Sequence, residues 1–393
     1  MKKFGYSNFQ VFINGKDVTD GVTITEIYMD ITNPCWNAKI SFLDSVNLIN
    51  KLPIQKNDKV KIIIETKNIM IKDSKEFNFI IYSISDKIHM SQHSVNFTVN
   101  CVSEPLITNL TINVSRHLKG EPSSLISNLF NEYFKNHTCS SSGSSGQVNM
   151  TANGWKPFNT FGQLLKYTHK NNIADYLLVQ TTDKDFSVKS ITDMYNDLTD
   201  IKFRYLPNAI GESVNYPYLI YKYEVQHFDA ALNLSSGYYG SDVYSYDLTD
   251  KKFTNKEFSN ENDKEKLSDG EDFSNQNKGR VIFQPMHQNI TDDSSQLCSF
   301  NTWLPSRKAS LLKLEQEKLL IQTAGNIDLV KIFGKSCMVE IPKQDYLSRE
   351  QLDEKRSGKH LVTAMGLIFN KRMFLMNLEL VKREFENYSK PQF

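Results

Sequence analysis

The sequence has few of the features by which a disulfide-rich, membrane-embedded or secreted protein is recognised. Its five cysteines are widely scattered among 393 residues, without a Cys-x-x-Cys pair, so no disulfide framework is indicated and we expect reduced thiols in a protein made in the cytoplasm. No apolar run approaches the roughly 18 residues of a membrane helix, and the first residues carry no apolar signal region. We therefore expect neither a membrane segment nor a conventional signal peptide. The cysteines are Cys35, Cys101, Cys139, Cys298 and Cys337.

An excess of either charge is also missing. The chain has 46 basic and 45 acidic residues, with a net charge of +1. Proteins that bind nucleic acid through its phosphates carry a basic surface. We therefore expect no sequence-specific nucleic-acid binding.

Short catalytic and metal-binding motifs are missing as well. The chain contains no Gly-x-x-x-x-Gly-Lys-Ser/Thr, Gly-x-Gly-x-x-Gly, Gly-x-Ser-x-Gly or His-Glu-x-x-His. His89 and His93 form one close pair, but further zinc ligands are not nearby. The acidic "SDGED" stretch contains Asp269, Glu271 and Asp272 and could be taken for a calcium-binding loop. An EF-hand alignment would place an apolar leucine at the third ligand position, which favours a solvated charged loop.

A carboxylate pair for glycoside hydrolysis is a weaker possibility. Glu379 with Glu384, or Asp292 with Asp293, supplies the residue type. Acidic residues are abundant in this chain, so such pairs carry no information without geometry. We predict no catalytic, cofactor-binding or metal-binding residues, and a protein that is not an enzyme.

Aromatic residues are plentiful, at 11% of the chain. For Trp36, Trp155 and Trp303, core packing or a subunit contact is the default interpretation, and a sugar-stacking platform is the minority one. The tyrosine-rich stretch "SSGYYGSDVYSYD" fits a strand edge and would also suit a protein interface.

Strand patterns occupy the first hundred residues. Segments such as "FQVFING", "TITEIYMDI", "WNAKISFLD" and "SVNFTVNCVS" follow one another with turn residues such as Asn14-Gly15 between many of them. Short strands at this spacing predict a small β-barrel or sandwich. At 393 residues we expect two to four domains.

The pattern changes after residue 105. Apolar residues at helical spacing follow Pro122 and Ser123, which are suitable start residues. A second helix is predicted over "NTFGQLLKYTHKNN", and then a hairpin that turns at Asp183-Lys184. The Ser/Gly-rich residues 140–146 are predicted to be a flexible surface loop. These elements predict a separate α/β module.

The β pattern resumes near residue 216 and is interrupted by a stretch dense in Lys, Asn, Asp, Glu and Ser. A short amphipathic helix is predicted over "SRKASLLKLEQEK". A hairpin is predicted at residues 357–385, near the end of the sequence. In its second strand, Phe374, Met376, Leu378 and Leu380 alternate with other residues, as in a half-buried strand. Its first strand is apolar almost throughout, so we expect cover on both faces.

The two ends of the chain share an order of features. "WNAKISFLDSVNLINKLPIQKNDKVKIII" and "EKLLIQTAGNIDLVKIFGKSCMVEI" each read as strand, crossover and strand, and each precedes a hairpin. This order predicts two related barrels, the second interrupted by an insert. The predicted fold class is α+β, mainly β, with two similar small β-barrel domains, an α/β middle module and an inserted segment. The predicted divisions are a first barrel at 1–105, the module at 106–205, a second barrel at 206–250 and 305–385, and the charged insert at 251–304.

Four segments resemble the baseplate hub proteins of contractile, T-even-type phage tails and, more distantly, the hub portion of VgrG-type spikes. They are residues 33–64, 155–194 and 232–253, and the "SGKHLVTAMGLIF" strand with the Gly325-Asn326 turn before it. Their order and length fit over nearly the whole chain. The Ser/Gly loop and the charged insert depart from the pattern.

The resemblance implies a homotrimer in the tail baseplate of a virion. Its six barrels would form a pseudo-six-fold ring that adapts a six-fold tail tube to a three-fold central spike. The implied partners are the spike, tail-tube or tube-initiator proteins and other baseplate proteins. The near-neutral charge would suit a channel through which DNA passes. A VgrG-like hub of a phage-derived injection or secretion machine, and a tail-associated cell-wall hydrolase, remain the alternatives.

Overall fold

One thirteen-stranded sheet includes strands from both ends of the chain, and the protein is mainly β. The computed structural model describes residues 7–44, 54–66, 74–91, 94–171, 173–206, 218–226, 235–238, 240–247, 251–259, 280–286, 300–315, 317–343, 351–370 and 373–382. Among these residues, no helix is long and apolar enough to cross a membrane.

The strands in chain order are β1 (Ser7–Ile13), β2 (Lys16–Asp17), β3 (Val22–Asp30), β4 (Asn37–Asp44), β5 (Lys59–Thr66), β6 (Ser74–Ser91), β7 (Ser94–Val102), β8 (Val114–Gly120), β9 (Thr138–Ser141), β10 (Val148–Trp155), β11 (Tyr176–Gln180), β12 (Asp185–Ser190), β13 (Leu198–Tyr205), β14 (Leu219–Gln226), β15 (Gly240–Asp247), β16 (Lys252–Ser259), β17 (Arg280–Met286), β18 (Lys318–Ala324), β19 (Ser336–Glu340), β20 (Gly358–Asn370) and β21 (Phe374–Val381). The α-helices are α1 (Glu104–Thr111), α2 (Pro122–Tyr133), α3 (Pro157–Leu165), α4 (Ile191–Asn196) and α5 (Phe300–Lys313).

The first barrel contains the strands predicted for the N-terminal region. Its order is β3-β4-β7-β6-β5-β1-β2. Buried and exposed residues alternate along β4, which places Phe42 in the core against Phe97, with ring centroids 4.9 Å apart. Asn14 and Gly15 both have positive φ, as a tight hairpin turn requires.

The second barrel is a closed ring of six strands. Its order is β13-β14-β18-β21-β20-β19, and β19 pairs back to β13. The predicted closing hairpin is confirmed as β20 and β21. Residues 360–365 of β20 are all buried, so this chain covers both faces of that part of the strand. A strand in a barrel wall is buried on both faces only where other residues pack against the outside of the barrel.

The two barrels are built alike. In both, five strands adjoin in the same order relative to the chain: β3-β4-β7-β6-β5 and β14-β18-β21-β20-β19, all antiparallel. The matching turns also agree: the Asn57 amide donates to the Ile81 carbonyl at 2.8 Å, and the Gly334 amide donates to the Val362 carbonyl at 3.2 Å. Asn57 and Gly334 both have positive φ. The prediction of two similar barrels is confirmed.

The sixth strands differ in direction. β1 runs antiparallel to β5, whereas β13 runs parallel to β19. β13 lies within the residues predicted for the middle module but pairs inside the second barrel. β15 lies within the range predicted for the second barrel but pairs with β16 and β17 in a separate three-stranded sheet. A strand's alternation shows which face is buried and does not name its neighbour.

The middle region has its own hydrophobic core. α2 and α3 pack on β9, β10 and β12, with the rings of Phe130, Phe134, Phe161 and Phe186 among the core side chains. The helix predicted behind Pro122 and the hairpin β11–β12 are confirmed. The helix predicted over residues 159–172 instead begins at Pro157 and ends at Leu165.

Composition predicted a flexible surface loop at residues 140–146, but hydrogen bonds hold these residues to neighbouring elements. The first of these residues belong to β9, which pairs with β12. The Glu121 carboxylate accepts hydrogen bonds from the amide and hydroxyl of Ser144 and from the hydroxyls of Ser123 and Ser124. This carboxylate ties the loop to the start of α2, and the Tyr176 hydroxyl, which donates to the Gly143 carbonyl at 2.8 Å, ties it to β11. Composition could not show either contact.

Candidate functional site

The two barrels of one chain meet edge to edge along β20. β21 occupies one edge of this strand from Leu361 to Phe369. On the other edge, Gly358–Leu361 pair with β19, and residues 364–370 pair antiparallel with β3 of the first barrel. The change of partner falls at Val362 and Thr363: the Val362 amide donates to Lys335 of its own barrel, and Thr363 accepts from Ile31 of the other. One strand thus closes its barrel and continues the sheet into the next.

The corresponding edges of β6 and β14 have no strand of a second barrel beside them among the described residues. β6 corresponds to β20, and β5 covers its edge only as far as Ile80, although β6 continues to Ser91. β14 corresponds to β3, and β13 covers its edge only at Leu219 and Ile220. A strand edge that has no strand beside it can pair with a strand of another chain.

The outer face of the joined sheet is concave, and polar and charged side chains stand on it among apolar ones. A cavity of about 520 Å³ lies over it. One row of directly opposed residues crosses five strands at its floor: Tyr28, Gly366, Asn377, Gln322 and Lys222. The Gln322 side-chain amide donates to the Asn377 carbonyl oxygen at 3.0 Å.

Acidic groups surround Tyr28 on this face. Partial burial raises the pKa of Tyr28 to about 12, with smaller contributions in the same direction from Asp30 and Glu379. Lys222 and Lys318 supply positive charge nearby. The face therefore mixes both charges and is not a basic surface.

Glu379 is held in a structural ion pair. Its carboxylate lies 3.2 Å from the Lys318 ammonium and accepts from the Thr363 hydroxyl at 3.0 Å. Its proposed partner Glu384 lies outside the described residues, as do Asp292 and Asp293. The residues of the calcium interpretation, Asp269, Glu271 and Asp272, also lie outside them, together with His93 and the side chain of His89.

Within the described part of the chain, no group of three or more His, Cys, Asp or Glu side chains is placed to hold a metal ion. Cys35, Cys101, Cys139 and Cys337 are buried free thiols. Burial raises the pKa of Cys337 to about 12, which makes this thiol a poor nucleophile.

A buried polar cluster joins the middle module to the first barrel. The Gln180 side-chain oxygen accepts from the Trp36 amide and from the Ser103 hydroxyl, each at 2.9 Å. The Trp36 indole donates to the Gln180 carbonyl at 3.1 Å. The carboxylate of Asp183, in the hairpin turn, accepts two hydrogen bonds from Asn78 on β6. Packing is confirmed for Trp36, which is 2% exposed.

Sequence reasoning missed this cluster. Gln180 is the last residue of the strand "YLLVQ". A polar residue at the end of an apolar strand is usually expected to face solvent, so nothing in the sequence marks it as buried. Trp155 is half-buried, and the side chain of Trp303 lies outside the described residues. In the tyrosine-rich stretch, Tyr244 lies beside Phe283 with centroids 5.2 Å apart.

Comparison with known proteins finds likeness in structure alone. No protein-family model and no curated protein sequence matches the chain. The fold is similar to that of the tail protein from Neisseria meningitidis MC58, at 10% identity and a TM-score of 0.58, over 96% of each chain. It is also similar to a tail protein of prophage MuSo2 from Shewanella oneidensis, at 8% identity and a TM-score of 0.59, over 97% of this chain and 99% of the other.

A third similar structure is a chain of a Francisella PdpA-VgrG complex. The identity is 10% and the TM-score 0.50, over 99% of this chain and 54% of that one. The sequence-based resemblance to tail hub proteins is confirmed for the fold. The chain has the two-barrel fold of phage tail proteins.

Proposed function

We propose that the protein is a structural hub of a phage-type tail, built from three copies of this chain. Its six barrels form a ring of pseudo-six-fold symmetry that adapts a six-fold tube to a three-fold spike in the baseplate of a contractile tail. The fold shared with tail proteins supports this function. The observation that carries it is the junction between β3 and β20, because it shows how one barrel of this kind binds the next.

The junction can be repeated between chains. In each chain, β3 and the second half of β20 are already paired, whereas the equivalent edges of β14 and β6 have no strand beside them among the described residues. Pairing β14 of one copy with β6 of the next reproduces the internal junction. Such a contact uses two different surfaces, so a rotation that closes produces a ring. Three copies satisfy all six junctions.

The internal junction also predicts the register of this contact. Gly366 opposes Tyr28 within the chain. The bulge at Ile81/Ser83 of β6 matches that at Val362/Ala364 of β20, so Ser85 takes the place of Gly366. By the same comparison of bulges in β3 and β14, Gln226 takes the place of Tyr28. Ser85 of one copy should therefore oppose Gln226 of the next.

The concave outer face would line the channel of such a ring. The observed row from Tyr28 to Lys222 is polar, and the side chains that line the cavity around it carry both charges. A lumen of this character would let a polyanion such as DNA pass, because it lacks the clustered lysines and arginines that hold phosphates. A strongly basic lumen in a solved trimer would contradict this part of the proposal.

The first test is the mass of the purified protein by light scattering, alone and mixed with the adjacent spike protein. A trimer, either alone or with the spike, supports the ring. A stable monomer under both conditions would remove it. Assembly with the spike, tube-initiator and other baseplate proteins would then be followed by the same method.

Disulfide cross-linking tests the register. A Ser85→Cys/Gln226→Cys variant, oxidised and run without reductant, should give dimers and trimers. The matched control Ser85→Cys/Lys222→Cys displaces one thiol by four residues, roughly 13 Å along a strand, and should stay monomeric. Equal cross-linking of both pairs would contradict the register. Replacing Cys298 by serine leaves four native thiols that the structure shows to be buried.

Two other functions share some of these observations. The likeness to a chain of a VgrG complex suits a hub of a phage-derived injection machine, which genome neighbours would distinguish from a virion. For a cell-wall hydrolase, the ion-paired state of Glu379 is unfavourable. Release of soluble fragments from peptidoglycan by the purified chain would support that alternative.

A further inference from the structure

A groove lies outside both barrels, between α3 and α5. Its apolar walls come from α3 and α5, its floor is β11, and its volume is about 540 Å³. Its apolar lining includes Phe158 and Phe161 on α3, Leu177 and Leu178 on β11, Leu311 on α5, and Pro34 from the first barrel. This volume is within the range of pockets that bind ligands.

A buried guanidinium lines the groove. Arg307 on α5 is 8% exposed, and its Nη1 donates to the Tyr176 carbonyl at 2.6 Å. Within the described residues this is its one hydrogen bond, although a guanidinium has five donors. The nearby Asp175 carboxylate accepts from Ser190 and Thr192.

The charge on Arg307 persists at neutral pH. Burial lowers the pKa of Arg307 to about 10, against a smaller effect of Asp175 in the opposite direction. A buried charge with one carbonyl partner is costly, and an incoming carboxylate would supply the missing acceptors. A neutral apolar ligand would leave this cost in place.

The shape of the groove favours an extended segment. Arg307 and Leu311 on α5 and Glu315, two residues beyond its end, follow one another at a spacing of four, and together they span roughly 12 Å. About four extended residues cover that distance. Lys308 lies beside Arg307 at one end of this row, and the acidic Glu315 lies at the other.

We propose that this groove binds an extended peptide segment of a partner protein, in which a large apolar side chain adjoins an acidic residue. The apolar side chain packs between α3 and α5, and the carboxylate binds Arg307. Charge fixes the direction: the acidic residue lies at the end where Arg307 and Lys308 supply positive charge, because Glu315 at the other end is itself an acid and is already paired with Lys318. The proposal does not depend on the ring.

Fluorescence anisotropy on the full-length protein tests it. The probe is a labelled peptide, Gly-Ser-Glu-Leu-Glu-Phe-Gly-Ser, and the comparison peptide carries Lys in place of both Glu. We expect saturable binding of the acidic peptide and binding at least about tenfold weaker for the basic one, as the loss of a charged hydrogen bond predicts.

Gly162 provides the matched variants. A Cβ added at this helical glycine meets no atom within 4 Å, so Gly162→Leu should fold while its side chain fills the groove, and Gly162→Ala should fold with the groove open. We expect Gly162→Leu and Lys308→Glu to weaken binding about tenfold or more, and Gly162→Ala to leave it unchanged. Arg307→Gln should also weaken peptide binding about tenfold or more, provided that circular dichroism shows that the variant folds.

Three results would overturn the proposal. The first is no saturable binding of the acidic peptide. The second is binding that Gly162→Leu and Lys308→Glu both leave unchanged. The third is displacement of the peptide by octanoate at an equal concentration, which would make the groove a site for small amphipathic acids.

Discussion

Replacement of Gly325 by alanine is the sharpest test of how the second barrel is packed. Gly325 follows β18, and its amide donates to the Phe374 carbonyl at 2.9 Å. A Cβ built on it would lie 2.0 Å from Cγ of Phe374. The Phe374 ring is 1% exposed and stacks on Phe369 with centroids 4.0 Å apart, so it has no free space into which to move.

The expected cost follows from this contact. Real Cβ atoms lie at least 3.0 Å from such neighbours, so the ring or the strand must shift by about 1 Å or more. Overpacking of a close-packed core costs about 1–3 kcal/mol, and we expect the upper half of that range. Gly366→Ala is the control in the same sheet, because its nearest contact would be an ordinary 3.8 Å from Asn377. It should change stability by less than about 0.5 kcal/mol.

Urea denaturation followed by circular dichroism measures both variants. The Gly325→Ala midpoint should fall and the Gly366→Ala midpoint should not. Phe374→Leu should recover part of the loss in the Gly325→Ala background, so that the two changes are less than additive by about 1 kcal/mol. Equal midpoints for the two glycine variants would refute the packing derived from the Phe374 contact.

Three further predictions concern the buried polar groups. Gln180→Ala leaves the buried Trp36 amide without its acceptor, and the Ser103 hydroxyl keeps only its longer contact with the Trp36 carbonyl at 3.3 Å, so the change should cost about 2–4 kcal/mol. Gln163→Ala on α3 should cost less than about 0.5 kcal/mol in the same denaturation assay. Partial burial raises the pKa of Glu121, but hydrogen bonds from Ser144 and its neighbours outweigh this and lower it overall. Its stabilisation should be present above about pH 4.5 and lost as the pH falls further, and Glu121→Gln should remove that dependence. Burial lowers the pKa of His360 to about 4 from 6.5, so stability should fall as the pH drops through this window because the unfolded chain binds the proton first. An unchanged profile in His360→Gln would contradict this.

Local patterns were sufficient to predict the elements. The alternation in β21 identified its buried face, and the proline and serine that begin α2 located the start of that helix. Helix ends were less accurate, as α3 shows. Composition failed at residues 140–146, because the carboxylate that orders them stands about twenty residues earlier in the chain.

Local patterns did not predict which strands pair at the edges of the barrels. Nothing in the residues of β20 shows that the strand changes neighbour at Val362, since apolar residues stand on both sides of that position. The pairing of β13 with β19 joins residues more than a hundred positions apart. Contacts at this separation depend on the path of the whole chain and have no local signal.

The sequence by itself therefore determined that this is a mainly β protein with two similar barrels, because period-2 burial and turn residues act within a few positions. Tertiary structure alone decided that the barrels share a sheet through β3 and β20, that β6 and β14 extend beyond their own barrel partners, and that a buried arginine lines the groove beside α5. These features arise where separate segments meet, and the geometry of that meeting is set by packing of the complete chain.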